Sequence, residues 1–473
     1  MMSFPRKIFG ISRMLRRTNH LSLSVTILTT TTFFIASLGF TMKCISFTVV
    51  VLFICNSANN AYSFLTHYSA HHVKKTGKSN VDINNAIMLK SSALPIPSAK
   101  EETSSLIDTD EIELSLSNIN QKAVPKAGEI MKFLPRDTFQ IDTATGLGYF
   151  AIDFVAVALT MGLLDVVVTS DVYTSFPMWK QALTVAPLQV LTGFAMWCMW
   201  CIGHDAGHST ISKNRTINRI VGEISHSVMC LTPFVPWAKS HKKHHLNHNH
   251  LTKDYSHQWY IREEQDGLHP LIKGAMKTRI LQLPILYFVY LFLGIPDGGH
   301  VIFYGRMWEN ESLQEKLNAA LSVAVSCTAA GSFWYNMGTA DFTVVCMIPW
   351  MVMSFWLFMV TYLQHHSEDG KLYTDDTYSF ERGAFETVDR NYGKYINRMS
   401  HHMMDGHVVH HLFFERVPHY KLEKATEALV EGLEERGQGD LYKFINTPNF
   451  TQEIVKQFYQ NWFFINESQV VRK

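Results

Sequence analysis

Residues 182–208 read ALTVAPLQVLTGFAMWCMWCIGHDAGH, an apolar run that ends in two histidines four positions apart. A helix needs ~20 mostly apolar residues to cross a bilayer, and Ala182–Ile202 has this length without a charged side chain. Side chains at i and i+4 share one face of a helix, so His204 and His208 lie together if the helix continues past the membrane. The stretch predicts a span that presents two imidazoles at its end.

Three more apolar runs have the length of a span: Leu147–Val168, Leu317–Met337 and Phe342–Leu363. The last two are separated only by Gly-Thr-Ala-Asp, which predicts a helical hairpin. The shorter run Ile280–Ile295 is broken by Pro284 and Pro296, and we assign it to an interfacial helix. The run Ile220–Trp237 contains acidic, histidine and proline residues and is expected to lie along the membrane.

Histidine is the residue type that the composition emphasises, with 23 copies in 473 residues. His241-Lys-Lys-His244-His245 and His407-Val-Val-His410-His411 each place three imidazoles at i, i+3 and i+4. A single histidine near an interface is ordinarily a satisfied polar residue, whereas eight in three such clusters predict metal ligands. Imidazole suits iron, zinc, copper and nickel, and eight nitrogens exceed what one zinc ion takes. Two metal ions are therefore implied.

The clusters form one site only if they lie on one side of the membrane, which requires an even number of crossings between the second cluster and His365. Four spans meet this condition. Basic residues crowd the loop around the second cluster, and the positive-inside rule then places the histidines on the cytosolic or stromal side. The predicted fold class is an all-α integral membrane protein with four transmembrane helices, interfacial helices and a cytosolic or stromal histidine cap.

The first 81 residues contain no Asp or Glu but nine Lys or Arg, a composition typical of a targeting presequence. We divide the rest into a soluble lead-in (82–142), a membrane domain (143–435) and a C-terminal tail (436–473).

Several other classes of protein are disfavoured by the sequence. A net charge of +1 offers no basic field for a nucleic-acid partner, and seven scattered cysteines do not form a disulfide framework. A membrane zinc hydrolase lacks support because none of the histidine clusters contains the catalytic glutamate of an HExxH motif. A histidine-rich metal transporter remains an alternative from a different class, although transporters place their ligands near the bilayer midplane rather than at the ends of spans.

We call the three clusters histidine boxes: His204–His208 is box one, His241–His245 is box two and His407–His411 is box three. At these boxes the chain resembles the membrane fatty acid desaturases, specifically the plant-type acyl-lipid group that acts at the methyl end of the acyl chain. The resemblance covers roughly Glu129 to Glu431. It extends beyond the boxes to Thr361-Tyr-Leu-Gln-His365-His366, to Thr387-Val-Asp-Arg-Asn-Tyr-Gly393 and to Pro418-His419-Tyr420. Ala61-Tyr-Ser-Phe64 resembles the Ala-Ser-Ala-Phe motif of presequences in algae with complex plastids, which favours a plastid membrane over the endoplasmic reticulum.

The resemblance implies a di-iron centre that uses dioxygen as co-substrate and two electrons from a separate donor, either ferredoxin in a plastid or cytochrome b5 in the endoplasmic reticulum. The implied ligands are His204, His208, His241, His244, His245, His365, His407, His410 and His411, with His366 in reserve. Residues expected next to the ligands are Asp205, His248, His366, His402 and Asp405, and Asp254 is a further carboxylate that can orient a ring N–H.

The implied reaction removes two hydrogens from adjacent methylenes of a lipid-linked acyl chain to give a cis double bond. His-Asp-x-Gly-His and His-Val-Val-His-His are closer to omega-3 (delta-15) enzymes, which act on linoleoyl groups. A delta-12 (omega-6) desaturase acting on oleoyl groups, or a fatty acid hydroxylase, remains the alternative. The chain length, the lipid carrier and the oligomeric state stay open.

Overall fold

The computed structural model describes residues 124–254, 259–267, 290–291, 299–446, 452, 456 and 464–472. The predicted presequence, most of the predicted lead-in, His257 and most of the run Ile280–Ile295 lie outside these residues. The helices are α1 (Ala127–Ile130), α2 (Thr143–Val168), α3 (Asp171–Thr174), α4 (Met178–Gly207), α5 (Arg215–Gly222), α6 (Phe234–Asn247), α7 (Leu313–Phe342), α8 (Ile348–His365), α9 (Phe380–Phe385), α10 (Lys394–Met399), α11 (His407–Phe413) and α12 (Leu422–Glu435).

Shorter elements complete the described chain. Turns of 3-10 helix cover Arg136–Phe139, Arg262–Gly267, His419–Lys421, Gly439–Leu441 and Glu467–Gln469, and π-helices cover Glu223–Met229 and Thr343–Met347. The strands are β1 (Tyr260–Ile261), β2 (Leu372–Tyr373), β3 (Val388–Asn391), β4 (Lys443–Asn446), β5 (Phe464–Ile465) and β6 (Val470–Val471). They pair in parallel as β1 with β5, β2 with β6 and β3 with β4.

Three helical segments are long and apolar enough to cross a membrane, as judged by length and composition: Thr143–Val168, Met178–Gly207 and Leu313–His365. The first two contain the predicted spans Leu147–Val168 and Ala182–Ile202. Helix α2 begins where the Asp142 carboxylate accepts a hydrogen bond from the Thr145 N–H at 2.7 Å, a standard N-cap. Its apolar side chains Ile152 and Leu159 are about two-thirds exposed, which suits a helix face that meets lipid.

The third segment is 53 residues long and includes α7, a π-helix and α8. A straight helix of that length would extend ~80 Å, far beyond the ~30 Å hydrocarbon core. The backbone leaves the helical conformation at Gly338, where φ is 79° and ψ is 168°. Met337 Sδ and Cys346 Sγ then lie 4.0 Å apart, although nine residues of unbroken helix would separate them by ~13 Å. The chain therefore reverses direction at this glycine.

Helix α4 is central, because it packs against α2 and also against α8. The crossing of α4 and α8 is close at Gly193, where an added Cβ would lie 2.7 Å from the Pro349 carbonyl oxygen and would also strike the Val352 side chain. The half of α4 that follows is almost entirely buried. Close packing at this glycine fixes where the C-terminal ends of α4 and α8 lie relative to each other.

Helices α5, α6, α9, α11 and α12, together with β3, form a cap at the ends of α4 and α8 that carry His204 and His365. The predicted interfacial run Ile220–Trp237 covers the end of α5, the π-helix and the start of α6. In the cap, β3 pairs with β4 from Val388 opposite Lys443 to Asn391 opposite Asn446. Residues that we assigned to a C-terminal tail therefore take part in the cap.

Replacing Gly193 with alanine is expected to lower the stability of the protein by about 1–3 kcal/mol, because the new methyl group overpacks the α4–α8 crossing. Thermal unfolding of the detergent-purified protein measures this effect as a lower midpoint. Gly162→Ala in α2 is the matched control, since its Cβ would meet nothing within 4 Å. Equal midpoints for the two variants would contradict close packing at Gly193.

Candidate metal centre

Five of the predicted ligands meet in one group. His204 and His208 extend from the end of α4, His241 and His245 from α6, and His410 from α11. One ring nitrogen from each lies within 4.8 Å of the others. The i, i+4 spacing explains the arrangement, because His204 with His208 and His241 with His245 each lie on one helical face. All three boxes thus contribute to the first group.

A second group consists of His244, His365 and His411, whose ring nitrogens also lie within 4.8 Å of one another. The ninth predicted ligand, His407, adjoins this group, with its Nε2 3.4 Å from His365 Nε2. Box two and box three therefore each divide between the groups. His365 enters from the last residue of α8, so the two groups connect α4, α6, α8 and α11.

Burial favours the neutral form of five imidazoles outside the spans, the form that metal ligands take. It lowers the pKa of His241, His245, His410 and His411 well below the ordinary histidine value, and neighbouring imidazoles act in the same direction. Burial also lowers the pKa of His407 to about 3. Within the described residues, His208 Nε2 and both ring nitrogens of His411 have no hydrogen-bond partner. Buried lone pairs of this kind are costly unless something binds them.

Carboxylates orient two of the rings from outside the groups. Asp205 Oδ1 lies 3.3 Å from His204 Nδ1, and Asp254 Oδ1 lies 2.9 Å from His244 Nδ1. The Asp254 carboxylate also accepts the Asn249 N–H at 3.1 Å. When Nδ1–H donates to a carboxylate, Nε2 carries the lone pair, which is the usual arrangement at histidine metal sites.

His248 is buried and lies beside the second group. Its Nδ1–H donates to the Gly383 carbonyl at 2.6 Å, and its Nε2 lies 2.8 Å from His365 Nδ1. Its ring is also 4.6 Å from that of His411, centroid to centroid. The carbonyl fixes the tautomer, so the Nε2 lone pair faces the second group. His248 is placed to orient His365.

The other residues predicted beside the ligands lie outside both groups. His366 turns away, because its Nδ1–H donates to the Tyr362 carbonyl at 2.7 Å and its ring lies against Tyr362 and Trp259. His402 and Asp405 contact each other, with Nδ1 and Oδ1 3.2 Å apart. Although burial opposes the charge, the Asp405 carboxylate raises the pKa of His402 above its ordinary value.

Two buried residues of β3 support the site in a way that box spacing does not predict. Asp389 Oδ1 accepts the Val408 N–H at 2.9 Å, in the first turn of α11, and Oδ2 accepts the Tyr442 hydroxyl at 2.8 Å. Arg390 donates from Nε to the Leu363 carbonyl at 2.9 Å, at the end of α8. Both residues satisfy helix ends that carry ligands. The only signal in the sequence was their place in the motif 387–393.

The donor set is chemically uniform. The nine predicted ligands offer only imidazole nitrogens, and the described cysteines do not belong to either group. Such a set suits iron and other borderline first-row metal ions. The two groups are thus clusters of neutral nitrogen ligands in which metal ions can bind, and each group has at least three nitrogens.

Comparison with known proteins identifies the relatives of this chain. The model of the family described as Fatty acid desaturase matches residues 180–443, which contain all three boxes. The Delta(12) fatty acid desaturase of Caenorhabditis elegans is 30% identical over 327 residues, covering 67% of this chain and 82% of that protein. The Omega-3 fatty acid desaturase of the same organism is 30% identical over 326 residues, covering 66% of this chain and 74% of the relative.

A bacterial relative matches over a longer region. The sn-1 acyl-lipid omega-3 desaturase (ferredoxin) of Synechocystis sp. is 29% identical over 346 residues, covering 72% of this chain and 89% of that protein.

Metal-free protein is expected to lose stability as the pH falls below 6.5. Burial lowers the pKa of His241, His245, His407, His410 and His411 in the folded chain, so the unfolded chain binds more protons at these positions in this range. Their contribution to stability is fully present above pH 6.5 and is lost as the pH falls toward their folded pKa, which for His407 is about 3. Thermal unfolding between pH 4 and pH 8 measures the slope. His407→Asn should flatten it, and a wild-type midpoint independent of pH would contradict the burial of neutral rings.

Proposed function

Because the chain belongs to the fatty acid desaturase family, we propose that it is an acyl-lipid omega-3 desaturase that converts linoleoyl to alpha-linolenoyl groups. The observation that carries the proposal is the meeting of all three histidine boxes in two adjacent groups of imidazoles, of which all but the partly buried His241 are buried. The reaction removes two hydrogens from adjacent methylenes, consumes dioxygen, two electrons and two protons, and yields a cis double bond and two waters.

The two groups fit two iron ions. His204, His208, His241, His245 and His410 would hold the first. His244, His365 and His411, joined by His407, would hold the second. When bound, iron supplies the oxidising power from dioxygen that breaking an unactivated C–H bond requires.

The protein's own residues hold the ligand rings in place and position the substrate. Asp205, Asp254 and His248 fix the tautomers of rings that face the groups, so the lone pairs are ready without rearrangement. The apolar helices α2, α4, α7 and α8 are suited to hold an acyl chain beside the groups. A chain held at a fixed depth limits reaction to one pair of methylenes, which is the basis of regiospecificity.

We also propose that the 53-residue segment supplies two spans, giving four in all. The reversal at Gly338 supports this arrangement, as does the position of the two ends of the segment. Near one end, Ser322 Oγ accepts the Val235 N–H at 3.1 Å, at the start of α6, and the other end carries His365. Both ends are then on the side of the histidine cap, which the basic residues of the box-two region assign to the cytosol or stroma.

We further propose that ferredoxin is the electron donor and that a plastid membrane is the compartment. Ferredoxin is the donor named for the Synechocystis relative, and the acid-free first 81 residues favour a plastid membrane. The alternative is the endoplasmic reticulum with cytochrome b5 as donor.

A second candidate function is delta-12 desaturation of oleoyl groups. It is favoured by one observation, the 30% identity to the Delta(12) fatty acid desaturase of Caenorhabditis elegans, which equals the identity to the omega-3 enzyme of that organism.

The fatty acid profile of yeast expressing residues from about Thr66 onward distinguishes these functions. We expect new alpha-linolenate only when linoleate is fed, with the double bonds located by mass spectrometry. His245→Ala, which removes a ligand of the first group, should abolish the product. Linoleate made from the cell's own oleate would assign delta-12 activity, and a hydroxy acid would assign hydroxylation. No product even when ferredoxin is supplied would contradict the desaturase assignment.

A further inference from the structure

A buried polar cluster, separate from the two imidazole groups, lies beside them and connects box one to α2. It consists of Asp153 in α2, Asp205 in α4, His401 in the loop after α10, and His419 at the start of the 3-10 turn after α11. Each of the four residues is at most 8% exposed. Neither His401 nor His419 belongs to the imidazole groups. The cluster therefore needs an explanation of its own.

His419 holds the Asp205 carboxylate with two hydrogen bonds. Its backbone N–H donates to Oδ2 at 3.0 Å, and its ring Nδ1–H donates to the same oxygen at 2.9 Å. The other oxygen, Oδ1, faces His204 Nδ1 at 3.3 Å. Since an ionised carboxylate is only an acceptor, donors on both sides fix its position. The His204 ring is then oriented by a carboxylate that His419 holds in place.

His401 connects this arrangement to the first span. Its Nε2 lies 2.6 Å from Asp153 Oδ2, and its ring centroid is 4.6 Å from that of His419. The backbone of His401 has a φ of 56°, which is uncommon outside glycine and persists where the surroundings impose it. Ionisable side chains within a span are rare and tend to serve a function. The unusual backbone of His401 and the buried carboxylate of Asp153 meet at one contact. We therefore expect the geometry of this contact to be functionally important.

Tyr149 of α2 packs against both histidines. Its ring meets His419 edge-on at 4.8 Å and His401 edge-on at 5.6 Å. Within the described chain, His401 Nδ1 and His419 Nε2 have no hydrogen-bond partner. The hydrogen bonds of these two rings are therefore directed to the two carboxylates.

We propose that His419 is a positioning residue for His204, acting through Asp205, and that the Asp153–His401 pair anchors His419 to α2. The inference rests on the proposed function in one respect, namely that His204 is a metal ligand. It assigns a role to a residue outside the three boxes. Loss of such an outer hydrogen bond typically weakens metal binding 10–100-fold.

The test compares two amide variants of His419 in the full chain, purified in detergent and freed of metal. Asn places its side-chain N–H near the position of Nδ1, whereas Gln places it near Nε2. His419→Asn should keep the bond to Asp205 and bind Co²⁺ within a few-fold of wild type. His419→Gln should lose that bond and bind Co²⁺ 10–100-fold more weakly, with shifted d–d absorption bands. Affinity is measured by competition with a chelator.

His250→Asn is the matched control, since His250 is also buried and pairs through Nε2 with a carboxylate, Asp375, at 3.1 Å, a bond that Asn cannot replace, but belongs to neither imidazole group. It should bind Co²⁺ as wild type does. Asp153→Asn tests the anchor with a change that preserves side-chain size, and it should shift the Co²⁺ bands without changing the stoichiometry.

Wild-type Co²⁺ affinity and spectrum in both His419→Gln and Asp153→Asn would overturn the inference and leave the proposed function intact. Equal loss in His419→Asn and His419→Gln would also overturn it, because a bond from the Nδ1 position would then not matter. A wild-type chain that binds no Co²⁺ would overturn the proposed function together with this inference.

Discussion

Nine imidazoles pack with their ring nitrogens facing one another, and eight of them are buried. A buried nitrogen lone pair without a partner is costly, and a buried imidazolium next to other imidazoles would be more so. Burial lowers the pKa of His241, His407 and His411, so these rings stay neutral. Neutral nitrogens in two compact groups form a stable arrangement when metal ions bind them. The helices, the cap and the outer hydrogen bonds all serve to hold these rings together.

Helical periodicity accounts for how the boxes are shared. Within box two, the i, i+4 pair His241 and His245 joins the first group, whereas His244 lies about 100° around the helix from His245 and joins the second. In box three, the i, i+4 pair His407 and His411 lies at the second group and His410 joins the first. A single helical turn can thus serve two metal positions, and the two groups cannot move independently. The close crossing of α4 and α8 at Gly193 then sets the distance between box one and His365.

Local patterns in the sequence predicted the histidine clusters and the helices that precede them. Spacings of three and four residues indicated ligands, and apolar length indicated α2 and α4, because both depend only on neighbours in the chain. The choice between His365 and His366 came from resemblance, and in the structure only His365 belongs to the second group. Helix α8 ends at His365, and extended backbone at His366 turns that ring toward Tyr362. Spacing alone does not show where a helix ends to within one residue.

The contacts that sequence reasoning missed are all distant along the chain. Asp389 reaches Val408 and Tyr442, and His419 reaches Asp205 across 214 positions. The pairing of β3 with β4 likewise joins the C-terminal region to the cap. No local periodicity records such contacts, since they depend on how complete helices pack. Outer residues of a metal site are for this reason harder to predict than its ligands.

Iron K-edge X-ray absorption of the purified protein, combined with iron quantification, tests the proposed di-iron centre most directly. We expect about two irons per chain, a first shell of nitrogen and oxygen without sulfur, and imidazole scattering beyond it. One zinc per chain, or a sulfur ligand to iron, would contradict the assignment of the two histidine groups as a di-iron centre.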